Sequence, residues 1–224
     1  MGRLAASILA ADFGCLADQM KMVEPYAEVF HIDIMDGHFV PPIALGGVVV
    51  ASVRPTTQRT FHGHLMVEGP ERQFEELAQA GLDIVSFHME AVDSDPEPAI
   101  RKARGAGMGV GLTLNMETPV EAVFPFLDQV DDVMLMSIRP GWSGQVLSEE
   151  VFPRVEALRA EMDRRGLDLG LEVDGGVKVD NARRCVDAGA NVLIAASAIF
   201  QAEDPVKAAQ KLAEIARGGQ TWPR

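Results

Sequence analysis

A single (β/α)8 barrel is the fold class this chain predicts. The first reason is that short apolar or β-branched runs alternate with longer helical patterns from end to end, as parallel βα units require. The second is number: eight such runs can be placed, at residues 4–9, 29–33, 60–65, 84–88, 109–114, 133–136, 169–173 and 192–195. The third is an internal echo. Ala78-Gln79-Ala80-Gly81-Leu82-Asp83-Ile84 and Val186-Asp187-Ala188-Gly189-Ala190-Asn191-Val192 share one grammar, a helix end, a glycine as left-handed cap, then a strand. A length of 224 residues with 47% hydrophobic content suits one closed barrel.

The helices follow their strands. A helix is expected over 71–80 behind Pro70, another over 149–165, and a last over 205–217 opened by Pro205. No low-complexity stretch or linker interrupts the alternation, so one domain over 1–224 is expected, with 218–224 as a loose tail.

Charge and cysteine usage exclude several function classes. With 33 acidic against 20 basic residues the net charge is −13, and the basic residues are scattered, which argues against nucleic acid or an anionic membrane as partner. An anionic ligand would have to be held locally. Cys15 and Cys185 lie far apart, which fits reduced thiols in a cytosol better than a disulfide framework. The N-terminal apolar segment is too short for a secretory signal, Ala6 sits where a myristoylation signal wants Ser or Thr, and no apolar run reaches membrane-spanning length. A cytoplasmic protein is expected.

The stretch His31-Ile32-Asp33-Ile34-Met35-Asp36-Gly37-His38-Phe39-Val40-Pro41 carries the chemistry. Strict alternation puts His31, Asp33 and Met35 on one strand face, where an unpaired carboxylate would be expensive to bury and an imidazole needs partners for both nitrogens. In barrels the site is built from the C-terminal strand ends, and polar residues recur there: His31 and Asp33, His64 with Met66, His88 and Glu90, Met136 and Ser137, Glu172 and Asp174. Two imidazoles and two carboxylates converging at one point suit a divalent ion such as Zn²⁺, Mn²⁺ or Fe²⁺, whose charge would offset that of the carboxylates. A hydrogen-bonded polar plug at the barrel mouth is the alternative reading. His88 and Glu90 read equally well as further ligands or as groups that orient the ligands.

Gly-rich segments follow the last strands: Arg139-Pro140-Gly141-Trp142-Ser143-Gly144-Gln145, then Asp174-Gly175-Gly176-Val177, then Ala196-Ser197. Glycine lets backbone amides approach an anion, so three neighbouring segments of this kind read as a phosphate cradle. Met35, Met66 and Met136 each sit beside a polar strand-end residue and would give the mouth a soft lining that excludes water.

Taken together these residues resemble the ribulose-phosphate 3-epimerase family, over nearly the whole chain. The matching segments are Ser7-Ile8-Leu9 with Ala11-Asp12-Phe13, the run from His31 to Pro41, His64-Leu65-Met66-Val67, His88 with Glu90, Leu114-Asn115 with Thr118-Pro119, and Met136. They continue through Pro140-Gly141 with Gly144-Gln145, Glu172-Val173-Asp174-Gly175-Gly176 and Ser197-Ala198-Ile199-Phe200. The resemblance implies a ribulose-phosphate-binding barrel that interconverts D-ribulose 5-phosphate and D-xylulose 5-phosphate through a cis-enediolate. It implies His31, Asp33, His64 and Asp174 as ligands of one divalent metal ion per subunit, Zn²⁺ first and Fe²⁺, Mn²⁺ or Co²⁺ as alternatives. Asp33 and Asp174 would be the acid/base pair. Ser7, His64, Gly141, Trp142, Ser143, Gly144, Asp174, Gly175, Gly176, Ala196 and Ser197 would surround substrate and phosphate, and Met35, Met66 and Met136 the enediolate. A homo-oligomer, dimer or hexamer, is also implied. The chain departs from the family's usual residues at Pro42, His62, Arg139, Ser143 and Ala196, none of them a proposed ligand or base. A D-allulose 6-phosphate 3-epimerase and a non-catalytic sugar-phosphate-binding barrel are the alternatives. Decarboxylases and aldol-type synthases with an Asp-x-Lys-x-x-Asp arrangement are set aside, because residues 61–66 contain no lysine.

Overall fold

The computed structural model describes residues 2–92 and 95–218. Eight parallel strands close on themselves: β1 (Arg3–Ser7), β2 (Val29–Asp36), β4 (Thr60–Met66), β5 (Ile84–His88), β6 (Gly109–Leu114), β7 (Asp132–Met136), β8 (Gly170–Asp174) and β9 (Val192–Ala195), with β1 bonded to both β2 and β9. A two-residue strand, β3 (Ile43–Ala44), pairs antiparallel with the end of β2. Around the barrel lie α1 (Leu16–Val23), α2 (Gly47–Val53), α3 (Phe74–Ala80), α4 (Glu97–Gly105), α5 (Val151–Arg165), α6 (Ala182–Ala188), α7 (Ser197–Phe200) and α8 (Pro205–Ala216).

Each barrel strand is buried on both faces, and the two faces hold different chemistry. Outward residues such as Phe30, Ile32, Phe61, Leu65, Val85, Phe87, Leu135 and Val173 join the helices in one large apolar shell. Inside the barrel, one cluster is apolar: Ala5, Val29, Met134, Met136, Ile138, Val192 and Ile194. His31, Asp33, His62, His64, Ser86, His88, Asp132 and Glu172 are also buried, and they are polar. Register brings them together, since His31 aligns with His62, Asp33 with His64, His64 with Ser86, and Met136 with Asp174. Aligned residues of parallel strands project to the same face.

Several expected boundaries shift, each for a local reason. The first strand stops at Ser7 and not at residue 9, because the Ser7 hydroxyl accepts the Leu9 N–H at 3.4 Å and caps a 3₁₀ turn over Ile8–Ala10. The second strand runs on to Asp36, held by β3, which the apolar pattern does not predict. Asp36 then accepts backbone N–H groups from His38 and Phe39 at 2.8 and 2.9 Å and from Glu68 at 2.8 Å, tying two mouth loops together. The helix expected over 71–80 breaks at Gln73 into a 3₁₀ turn, Pro70–Arg72, and α3. The connection between β6 and β7 is a 3₁₀ helix, Val120–Gln129, with Pro125 inside it. The expected tail beyond Gly218 lies outside the described residues. Cys15 and Cys185 are both free.

Candidate active site

Four side chains from three strands meet at the open end of the barrel. His31 Nε2 lies 3.3 Å from Asp33 Oδ1 and 3.3 Å from His64 Nδ1, which is itself 3.2 Å from Asp33 Oδ1 and 3.5 Å from Asp174 Oδ2. Donors on a tetrahedral ion with bonds near 2.1 Å sit about 3.4 Å apart. These spacings therefore fit a metal ion, and the donor set is a borderline one of nitrogen and oxygen. His31, Asp33, His64 and Asp174 form a group able to hold an ion.

The surroundings fix which ring nitrogen faces this point. His64 Nε2 meets His88 Nε2 at 2.9 Å, and His88 Nδ1 lies 3.3 Å from Glu90 Oε2. Burial, with His64 nearby, pulls His88 down to about 4 against the pull of Glu90, so the ring is neutral at pH 7. A neutral His88 that donates Nδ1–H to Glu90 accepts the hydrogen bond of His64 Nε2–H. His64 Nδ1 is thereby turned toward the two aspartates. Glu90 is anchored in turn by Thr118 and by the Asn115 N–H at 3.0 Å. Glu90 and His88 thus form a chain of contacts that reaches His64.

The two aspartates are electrostatically unlike. Burial opposes charge on Asp33, but His31 beside it and hydrogen bonds from His31 and His64 outweigh burial and hold the carboxyl well below its ordinary value. Ser7 Oγ also donates to Asp33 Oδ2 at 2.6 Å. For Asp174, burial and then the like charge of Asp33 push the carboxyl upward, with His31 and His64 opposing. Two carboxyl groups driven apart in this way suit one acid and one base. His31, despite burial, is raised to about 9 by Asp33 and more weakly by Asp174 and Glu172.

Above the quartet opens a cleft. Ser7, Asp33, Met35, Met66, Met136, Gly141, Trp142, Ser143, Gly144, Asp174, Gly175, Gly176, Ala196 and Ser197 all line it. His31 and His64 are fully buried beside Asp33. Gly175 and Gly176 adopt φ of +106° and +64°, and a Cβ would run into Ile138 at the first and into the backbone of Gln145 and Leu147 at the second. The loop after β7 is braced by Gln145 Nε2, which donates to the carbonyls of Arg139 at 2.8 Å and Trp142 at 2.9 Å. Lys178, unexpected from the sequence, also lines the cleft. The signal that could have found it is a cation two residues beyond the glycine pair.

Comparison with known proteins agrees with this geometry. The ribulose-phosphate 3 epimerase family pattern matches residues 3–200. A ribulose-phosphate 3-epimerase of Bacillus subtilis is 40% identical over 214 residues, covering 95% of this chain and 98% of that protein. One from Synechocystis is 40% identical over 210 residues, covering 92% and 90%. Among solved structures, a 3-hexulose-6-phosphate synthase superposes with TM-score 0.70 at 22% identity over 95% of this chain and 99% of that one. KGPDC from Streptococcus mutans gives 0.73 at 16% identity over 97% and 98%, a likeness of fold. No helix among the described residues is long and apolar enough to cross a membrane. With a barrel, an ion-ready quartet at its mouth and relatives matched over nearly their full lengths, the chain belongs to the ribulose-phosphate 3-epimerase family.

Proposed function

We propose that the chain epimerises D-ribulose 5-phosphate to D-xylulose 5-phosphate at C3, with Asp33 and Asp174 as the acid/base pair. Inversion needs a proton removed from one face and another returned to the opposite face, so two carboxyl groups serve where one cannot. The carrying observation is the unequal pair itself, Asp33 held ionised and Asp174 pushed toward its protonated form, both lining one cleft. Roles exchange with direction. A divalent ion held by His31, Asp33, His64 and Asp174, Zn²⁺ by its preference for such donors, would supply Lewis acidity to the C2 and C3 oxygens. Met35, Met66 and Met136 exclude water from the enediolate, which lengthens its life against stray protonation. Backbone N–H groups around Gly144, Gly176 and Ser197, with Lys178, would hold the phosphate.

A second cleft, lined by Phe39, Asn115, Glu117 and Arg139 among others, shares Pro140 and Trp142 with the first and leaves room for a longer sugar. The test is C3 proton exchange in D₂O, run with ribulose 5-phosphate and with D-allulose 6-phosphate. Exchange with the pentulose carries the proposal; exchange with the hexulose alone moves it to the alternative substrate, and none with either leaves a sugar-phosphate-binding barrel. A single domain, a cytoplasmic location and a homo-oligomer are proposed with it, the last measurable by analytical ultracentrifugation.

A further inference from the structure

Beneath the quartet lies a second set of buried donors that epimerisation does not use. His62 on β4, Asp132 on β7 and Glu172 on β8 are 1%, 2% and 3% exposed, and each offers one ligand atom within 4.8 Å of the others. Ser86 Oγ donates to Asp132 Oδ1 at 3.0 Å and lies 2.5 Å from His62 Nε2. With its own proton committed to Asp132, Ser86 accepts from His62 Nε2–H. His62 Nδ1 then carries the lone pair, and it faces Glu172 Oε2 at 3.4 Å. Glu172 Oε2 is buried and has no hydrogen-bond partner.

His62 Nδ1 and Glu172 Oε2 thus face each other across 3.4 Å inside a closed barrel. A buried polar atom left without a hydrogen-bond partner is costly. The separation of 3.4 Å is long for a hydrogen bond and equals the spacing of two donors on one tetrahedral ion. We propose that His62, Asp132 and Glu172 form a second divalent-cation site, a closed structural one, in the barrel interior below the mouth. Two residues along β4 separate His62 from His64, about 7 Å of strand, so one ion cannot serve both sets. Sealed inside the barrel among buried side chains, such an ion lies out of reach of substrate. The deep site therefore does not depend on the epimerase reading.

Zinc is the probe, supplied as its sulfate during expression because the deep site is sealed in the folded chain. Metal content by inductively coupled plasma mass spectrometry should give two zinc ions per chain, and crystals of that protein should show two anomalous peaks at the zinc edge, one of them among His62, Asp132 and Glu172. Glu172→Gln keeps the volume and can donate its amide N–H to His62 Nδ1, so it should fold, as thermal melting checks, and bind one zinc. His64→Ala should retain the deep peak and lose the one at the mouth. A single peak at the mouth in the zinc-replete parent, or two zinc ions in Glu172→Gln, would overturn the second site.

Discussion

Asp33→Asn offers the sharpest separation of structural from catalytic effects, because one carboxyl group touches Ser7, His31 and His64 together. Asn keeps the shape and removes the charge. In the metal-free protein, the rise of His31 from 6.5 to about 9 corresponds to roughly 3 kcal/mol of preference for its protonated form. Most of that comes from the Asp33 charge, and it agrees with the roughly 3–5 kcal/mol expected for breaking a buried pair. The sign follows from the raised value: a group bound to its proton more tightly when folded stabilises fully below its unfolded pKa and loses that contribution as pH rises through 9. Chelated Asp33→Asn should therefore melt about 6–12 °C below the chelated parent at pH 6, since 1 kcal/mol moves the midpoint roughly 2–4 °C at this chain length. The gap should close by pH 10. In the zinc-loaded protein the same substitution should slow C3 exchange in D₂O by at least about 10²–10⁴-fold, the usual worth of a positioned base. A gap in melting temperature that persists unchanged at pH 10 would refute the ion-pair reasoning; parental exchange rates at saturating zinc would refute the base.

Three further outcomes are expected. Zinc binding to the chelated protein at pH 7 should release protons, because His31 must give one up, and apparent affinity should rise with pH toward 9, as calorimetry in buffers of different ionisation enthalpy would show. Glu90→Gln, which weakens the hold on His88 and through it His64, should lower zinc affinity about 10–100-fold while leaving kcat nearly parental at saturating zinc, read by competition with a chromophoric chelator. Gly176→Ala puts a methyl group against the backbone of Gln145 and Leu147 at φ +64°, so KM for the sugar phosphate should rise by about tenfold with a smaller change in kcat. An unchanged KM would remove that loop from the phosphate cradle.

The barrel and the quartet are legible in the sequence because their causes are local. Period-two alternation in His31, Asp33 and Met35 fixes a shared face, and glycine caps such as Gly81 and Gly189 mark where helices yield to strands. The end of the first strand is not legible, since it depends on a side chain, Ser7, choosing the Leu9 N–H. Nor is β3, two residues held by pairing with β2 across a tight reversal. How deeply His64 is buried is not legible either: it pairs in register with Asp33 and is fully buried. Depth inside a barrel is set by strand stagger, which no single strand encodes. Trp142, by contrast, is expected at the site and lines the cleft while half exposed, because a Gly-rich loop carries it.

An interior so polar raises the question of what holds the barrel closed, and the answer lies outside it. Phe30 and Phe61 meet edge to face at 6.2 Å, Phe74 packs on Phe87 at 5.8 Å, and all four are fully buried between strands and helices. That shell carries the hydrophobic stabilisation, which frees the inward face to hold imidazoles and carboxyl groups that would otherwise be selected against. Stability and metal binding should then separate under mutation. Phe74→Ala, on α3 and away from the mouth, should lower unfolding free energy by about 3–5 kcal/mol in urea while leaving the zinc affinity of the folded protein at the parental value. If zinc affinity fell in step with stability, the inward quartet would be leaning on the helical shell, and the division of labour between the two faces of the barrel would not hold.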